Sequence, residues 1–205
     1  MNRPALLPVR LRSTDRAALA AHFLALDAAD RRLRFGASLS DDAVRRLEER
    51  IDFDRDELFA IADDELRLLA VVHVAFYPHK AELGLSVLPC ARGRGLGNAL
   101  FERAVTHLVN RGVREVFVHC LSENGAMMHL ARKHGMRVVT EGGETDAHLE
   151  LPQATPGTVF LEWLQERQAD AVQQIRRQAR AARGMMEILS GAARRQRPRT
   201  RLRAP

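Results

Sequence analysis

The chain has 205 residues, 46% of them apolar, and a formal charge of +6, enough for one domain with a real core, or one domain plus an extension. Its strongest apolar run, "LLAVVHVAF" at 68–76, falls far short of the roughly 18 residues a membrane span needs, and the start "MNRPALLPVRLRSTDR", broken by prolines and arginines, reads as no secretory leader. The two cysteines, Cys90 and Cys120, form no C-x-x-C pair and no Cys/His group with zinc spacing, which argues against a metal centre and for the reducing cytoplasm.

The charge is unevenly spread. The last thirty residues hold ten arginines against one acid, Glu187, which leaves residues 1–175 at −3. Only Lys80 and Lys133 are lysines. The basic character belongs to the tail and not to the main domain.

In chain order, "PVRLR" at 8–12 reads as a short strand. Ser13 or Thr14 is placed to cap a helix with Ala18, Leu19, His22, Phe23 and Leu26 on one face. A loop through "DRRLRFGAS" leads to Ser40, an N-cap followed by two aspartates, and a second helix running to about Arg50. Strands follow at 57–63 and 66–76 around an acidic turn at Asp63-Asp64. In "AELGLSV", 81–87, Leu83, Leu85 and Val87 alternate with Glu82, Gly84 and Ser86, so the two sets face opposite sides of a sheet.

A helix from Leu96 carries Leu100, Ala104 and Leu108 at four-residue steps and stops at Gly112. A strand at 115–120, a helix at 124–135 and a hairpin around Gly142-Gly143 come next. From Thr158 to Ser190 one long helix is predicted, with a thin apolar stripe of Leu164, Ala171, Ile175, Ala182 and Leu189. Phe160 and Trp163 are expected to pack onto the domain. The organisation expected is a domain over 1–155, a helical extension over 156–190 and a basic, disordered tail over 191–205.

The most informative stretch is "VLPCARGRGLGNAL", 87–100. It takes a strand end through Pro89 into a loop with Gly93, Gly95 and Gly97, flanked by Arg92 and Arg94, and opens a helix. A helix N-terminus exposes unpaired amides and partial positive charge. Glycines ahead of it let amides converge on an anion, most often a phosphate. The loop is no P-loop, because no lysine follows, and no dinucleotide fingerprint, because the third glycine would fall on Asn98 or Leu100.

These residues resemble the acyl-CoA pyrophosphate loop of the GNAT family of N-acetyltransferases, whose pattern [RQ]-x-x-G-x-[GA] after V-x-P is matched by Val87, Pro89, Arg92, Gly95 and Gly97. "SENGAMMHLARKHGMRVV" resembles the family's second block through Asn124, Leu130 and Gly135. "DRRLRFGASLSDDAVRRLEERIDFDRDELFAIAD" is similar to the N-terminal half of members related to bacterial protein-lysine acetyltransferases. The resemblance covers roughly residues 8–151.

It implies an α/β fold with a mixed, mostly antiparallel sheet in which parallel strands four and five, 82–88 and 115–120, splay apart. Acetyl-CoA would be the co-substrate, with no metal. Its pantetheine arm would pair with Val87 and Leu88, and its pyrophosphate would rest on the amides of Arg92, Gly93, Arg94, Gly95, Leu96, Gly97 and Asn98. Ser122 and Asn124 would stand on the other wall.

The reaction implied is direct acetyl transfer to an amine, a small molecule or a protein lysine. Glu82 is the expected base, with His73 and His119 as weaker alternatives. The Leu88 amide is the expected oxyanion donor. The family's tyrosine position falls on Ala131, and the one tyrosine, Tyr77, lies in another region. The thiolate then leaves unassisted, or Ser122 or a water protonates it. A covalent route through Cys90 or Cys120 is disfavoured, since nothing in the sequence depresses their pKa. Asp52, Asp54, Asp56 and Glu57 are the acidic hints towards the acceptor.

Two rival readings stand beside this one. The first is a non-catalytic acyl-CoA-binding module, favoured by Ala131. The second is an RNA- or ribosome-associated protein acting through its tail, against which no aromatic residue interleaves with the arginines. A homodimer through the long helix is open, although Gln168 and Gln178 interrupt its stripe.

Overall fold

The computed structural model describes residues 7–195. Its elements are β1 (Val9–Arg10), α1 (Arg16–Leu24), α2 (Ala28–Phe35), α3 (Asp41–Glu49), β2 (Glu57–Ala62), β3 (Leu68–Tyr77), β4 (Lys80–Val87), α4 (Leu96–Asn110), β5 (Glu115–Leu121), α5 (Gly125–Lys133), β6 (Arg137–Glu141), β7 (Glu144–Glu150) and α6 (Pro156–Arg195). The strands form one sheet in the order β1-β2-β3-β4-β5-β7-β6. Every neighbouring pair is antiparallel except β4 with β5.

The alternation read in β4 is borne out. Ala81, Leu83, Leu85 and Val87 pack with Leu96, Leu100, Ala104 and Leu108 of α4 in one core, which also takes in α5. The opposite face of the sheet buries Leu19 and Phe23 of α1, Val44 of α3 and Leu58, Ala60 and Val71 in a second core. Helices therefore cover both faces, and the sheet is the middle layer.

Three local expectations need correction. The stretch 28–35 is a helix and not a loop. Asp27 caps it by accepting from the Asp30 amide at 2.8 Å, and Gly36 ends it at φ 79°. Its sequence, Ala-Ala-Asp-Arg-Arg-Leu-Arg-Phe, offers no apolar stripe, because Arg31 does the anchoring. That guanidinium donates to the carbonyls of Leu24, Leu26 and Leu39, each at 2.9 Å. Carbonyls left over at the end of α1 are thereby satisfied.

Neither Ser13 nor Thr14 caps α1. Both lie in a short 3-10 turn, 13–15, in which Asp15 accepts from the Arg12 amide at 3.0 Å. Helix α3 does start as expected, with Ser40 Oγ accepting from the Ala43 amide.

The third correction concerns α6, which docks through polar groups and not through its apolar stripe. Among its described side chains Ala169 and Arg176 are buried, while Phe160, Trp163 and Ile175 are 62%, 50% and 66% exposed. Phe160 and Trp163 stack on each other at 5.8 Å instead of packing onto the domain. On the docked face Arg103 of α4, 4% exposed, binds Glu162 at 2.8 Å and Glu166 at 2.9 Å. Arg176 reaches the Ala62 carbonyl and Arg180 the Glu65 carbonyl. Of the tail expected over 191–205, residues 196–205 lie outside the described residues. Among the described residues no helix is long and apolar enough to cross a membrane.

Candidate active site

Strands β4 and β5 pair only through Lys80–Glu115, Ala81–Val116 and Glu82–Phe117, after which no pair joins them among the described residues. Beyond this fork a cleft of about 630 Å³ opens. Its walls are α2 (Asp30, Leu33, Arg34), the end of β4 (Leu85, Ser86, Val87), the glycine loop with the start of α4 (Gly93, Gly95 to Asn98) and α5 from Asn124 onward.

The loop is shaped by left-handed backbone. Gly93 and Gly95 stand at φ 70° and 75°, a conformation that costs an L residue about 1–2 kcal/mol. Gly95 is the N-cap of α4, and the first helical bond runs from the Ala99 amide to the Gly95 carbonyl at 3.0 Å. The amides of Gly93, Arg94, Gly95, Leu96, Gly97 and Asn98 donate to no acceptor among the described residues. The Arg92 amide is different, since it donates to the Pro89 carbonyl at 3.3 Å. The Arg92 side chain turns back across the cleft, pairing with Asp30 on α2 and reaching the Val87 carbonyl at 3.4 Å.

Which amides of β4 face the gap follows from its register. The Leu88 amide donates to the Leu69 carbonyl of β3 at 2.9 Å, so Leu88 and Leu69 form a hydrogen-bonded antiparallel pair. The adjacent pair, Val87 with Ala70, then points its amide and carbonyl groups outward, as does Leu85 two residues on. Leu88 is thus removed as the oxyanion donor, because its N–H is already spent. Leu85 and Val87 carry the groups that face the gap.

Side chains of even number on β4 face α1 and α2. Ser86, buried, donates from Oγ to Nε2 of His22 at 2.8 Å, and Nδ1 of His22 lies 2.8 Å from the Leu68 carbonyl. A carbonyl can only accept, so Nδ1 carries the proton and Nε2 takes the Ser86 hydroxyl. Burial pushes the His22 pKa down to about 4, with the Arg34 charge acting in the same direction. The pair is neutral. Gly84 lies directly under the Arg34 guanidinium, so closely that a Cβ there would overlap it.

Glu82 stands at the fork itself, half-buried. It accepts from Tyr77 Oη at 3.2 Å across the hairpin, and the neighbouring negative charge raises the Tyr77 pKa. His73 is held by Asp56 at 2.8 Å, with its pKa lowered first by burial and then by Arg34. His119 is half-exposed, bonded to Asp146 at 2.7 Å, which raises its pKa.

The remaining expected residues are distributed as follows. Asn124 lines the cleft, caps α5 by accepting from the Met127 amide at 3.1 Å, and donates to the Leu33 carbonyl at 3.3 Å. Ser122 is exposed beyond the end of β5, its amide bonded to the Gly143 carbonyl, and is not among the lining residues. Ala131 is fully buried in the α5 core. Neither cysteine lines the cleft, and burial raises the Cys120 thiol. Glu57 faces α4, bound to His107 and Arg111, and Asp54 and Asp56 line a different cavity beside β1 and α6.

Among the described residues one group has the ligand types for a cation: His107, Glu162 and Glu166. Arg103 and Asn110 already occupy the carboxylate oxygens, with Asn110 Nδ2 2.6 Å from Glu162. It is an ion-pair network that fastens α6. The sequence reading missed the α2 wall altogether, although Asp27 and Gly36 were available as start and stop signals.

A comparison with known families matches residues 23–136 to the acetyltransferase (GNAT) family, and the chain belongs to that family. No curated protein matches it by sequence. Among solved structures it is similar to the GNAT domain of S. lividans PAT, at 21% identity over 70% of this chain and 89% of that one, with a TM-score of 0.61. A spermidine N-acetyltransferase from Vibrio cholerae in complex with CoA and spermine is 17% identical over 70% of this chain and 94% of that one, with a TM-score of 0.56. A ribosomal-protein-alanine N-acetyltransferase from Brucella melitensis is 19% identical over 71% and 100%, with a TM-score of 0.55. At these identities the likeness establishes a shared fold.

Proposed function

We propose that the protein transfers an acyl group, acetyl in the simplest case, from coenzyme A to a primary amine by direct attack within the cleft. The observation that carries this reading is the coincidence of two unspent sets of backbone groups. Six consecutive amides, Gly93 to Asn98, have no acceptor among the described residues at the start of α4, and the adjoining edge of β4 is unpaired beyond Glu82 among those residues. The first set suits a diphosphate; the second suits an amide-bearing arm laid along a strand edge.

In this reading Val87 pairs with the pantetheine arm, which requires the Arg92 side chain to release the Val87 carbonyl. The Leu85 amide, deeper in the gap, donates to the oxygen of the thioester as it becomes an oxyanion. Glu82 takes a proton from the incoming ammonium, which otherwise lacks a lone pair. The amine attacks the carbonyl carbon, the C–S bond breaks, and coenzyme A leaves as a thiolate. A thiol of pKa about 8.5 is a tolerable leaving group without an acid, consistent with the apolar surroundings of Ala131. The relatives described as acting on spermidine and on a ribosomal protein support an amine acceptor, whether a small molecule or a protein.

The test is calorimetry with coenzyme A, followed by thiol release from acetyl-CoA over a panel of amines. Glu82→Gln should keep coenzyme A affinity and lower turnover by about 10²-fold or more. Ala131 favours one second reading, a module that binds acyl-CoA without turning it over. Tight binding with no thiol release on any amine would establish it.

A further inference from the structure

Arg34 differs from the other arginines that meet the sheet and its helices. Arg16 is bonded to Glu48 and Ile51. Arg31 is filled by three carbonyls and Asp41. Arg103 is filled by Glu162 and Glu166. Arg34 lines the cleft, its Nε is buried, and no nitrogen of its guanidinium meets an acceptor among the described residues. The group lies over the Phe35 ring at 5.1 Å and near Phe23 at 5.9 Å, and its flat face rests on Gly84. Burial brings its pKa down to about 10, so it is still charged at neutral pH. Of the nearby acids, Asp30 pairs with Arg92 and Asp56 with His73, while Glu82, which accepts from Tyr77, attracts Arg34 through space without bonding to it.

A half-buried cation with a shielded, unbonded nitrogen is costly, and the cost is recovered when an anion arrives with matching geometry. Gly84 sits between Leu85, whose amide faces the gap, and Glu82 at the fork. A group reaching Arg34 has therefore passed the thioester carbonyl. In that reading the diphosphate would rest on the α4 amides, on the face of β4 that the Leu85 and Val87 side chains occupy, whereas Arg34 lies on the Gly84 face and is left for a different anion.

We propose that Arg34 receives a carboxylate carried by one of the two substrates, either at the far end of the acyl chain or beside the attacking amine. The inference rests on the transferase reading above and names the substrate class of the same site. Gly84 is part of the device, since only a residue without Cβ lets the guanidinium lie against the strand.

The experiment has two arms, each run on wild type, Arg34→Met and Arg34→Lys. In the acyl arm, acetyl-CoA and succinyl-CoA are titrated by calorimetry. In the acceptor arm, lysine and cadaverine, which differ by the carboxylate, compete as acceptors in thiol release. We expect wild type to favour the carboxylate member of one pair, and Arg34→Met to weaken that member alone by about thirtyfold or more. Arg34→Lys should restore part of it.

If Arg34→Met does not fold, Gly84→Ala carries the test. The three heavy atoms nearest its new methyl all belong to the Arg34 guanidinium, and it should erode the same preference with the charge intact. Coenzyme A binding that persists while neither pair responds to residues 34 or 84 overturns this inference alone. A wild type that binds no coenzyme A overturns the transferase reading with it.

Discussion

The attachment of α6 gives the most quantitative prediction. His107, 5% exposed, lies between two carboxylates, with Nδ1 2.6 Å from Glu162 and Nε2 2.9 Å from Glu57. Nδ1 donates to Glu162, while Nε2 lies beside Glu57 without hydrogen-bond alignment, and the two carboxylates raise the imidazole pKa against the opposing effect of burial. Glu162, also bonded to Asn110 and Arg103, is held down to about 2 despite burial.

A carboxylate whose folded pKa lies below its unfolded value of about 4.5 stabilises the fold above that value. The contribution is lost as pH falls towards 2. About 2.5 units at about 1.36 kcal/mol each gives roughly 3 kcal/mol near neutrality. By pH 3 the same relation leaves about two-fifths of that. The raised His107 belongs to the same interaction and is not added to it; its share is full below about 6.5 and fades as pH rises through the raised value. The docked helix should therefore be most secure between about pH 4.5 and 6.5.

Urea unfolding of wild type and Glu162→Gln, followed by circular dichroism, reads the difference. It should be near 3 kcal/mol at pH 6 and shrink by more than half at pH 3. The comparison cancels the titrating groups that do not touch Glu162; His107, which does, stays protonated across that pH range and adds little to the change. A difference that stays constant across that range would refute the assignment of the stabilising charge to Glu162.

Other outcomes follow from single sites. His22 is buried neutral with a pKa of about 4, below its unfolded value, so stability should fall by up to about 3 kcal/mol as pH drops from 6.5 to 4. His22→Gln should flatten that slope in pH-dependent melts. Ser86→Ala leaves His22 Nε2 without its donor and should cost about 1–3 kcal/mol in stability, read as a lowered urea midpoint. Gly95→Ala meets nothing within 4 Å of the new methyl, so its cost of about 1–2 kcal/mol is backbone strain at φ 75°. Calorimetry should show its coenzyme A affinity falling further than that of an alanine placed at exposed, helical Glu102.

Much of the fold was legible because its signals are local. Period two in 81–87, four-residue spacing from Leu96 and glycines at helix ends specify β4, the loop and α4 without reference to the rest of the chain. The α2 wall was not legible from its apolar pattern, since a helix held by Arg31 donating to carbonyls shows no stripe. The same holds for α6, whose docked face reads as charge, with Glu162, Glu166, Arg176 and Arg180 as its contacts. A search for apolar spacing found the opposite side of that helix. The amide of Leu88 illustrates a different limit. Whether it faces the gap or β3 depends on the register with Leu69, and that pairing joins residues nineteen apart. Glu82 was recognisable by position, but its tie to Tyr77 emerged only from the hairpin.

The register of β4 also separates two kinds of evolutionary freedom. Its hydrogen-bonding edge is peptide backbone, common to any sequence that keeps the strand, whereas residues 82, 84 and 86 project at right angles to that edge. Changes at those three positions act on the α1–α2 side, through the Tyr77 contact, the Arg34 seat and the His22 contact, and leave the backbone edge itself unaltered.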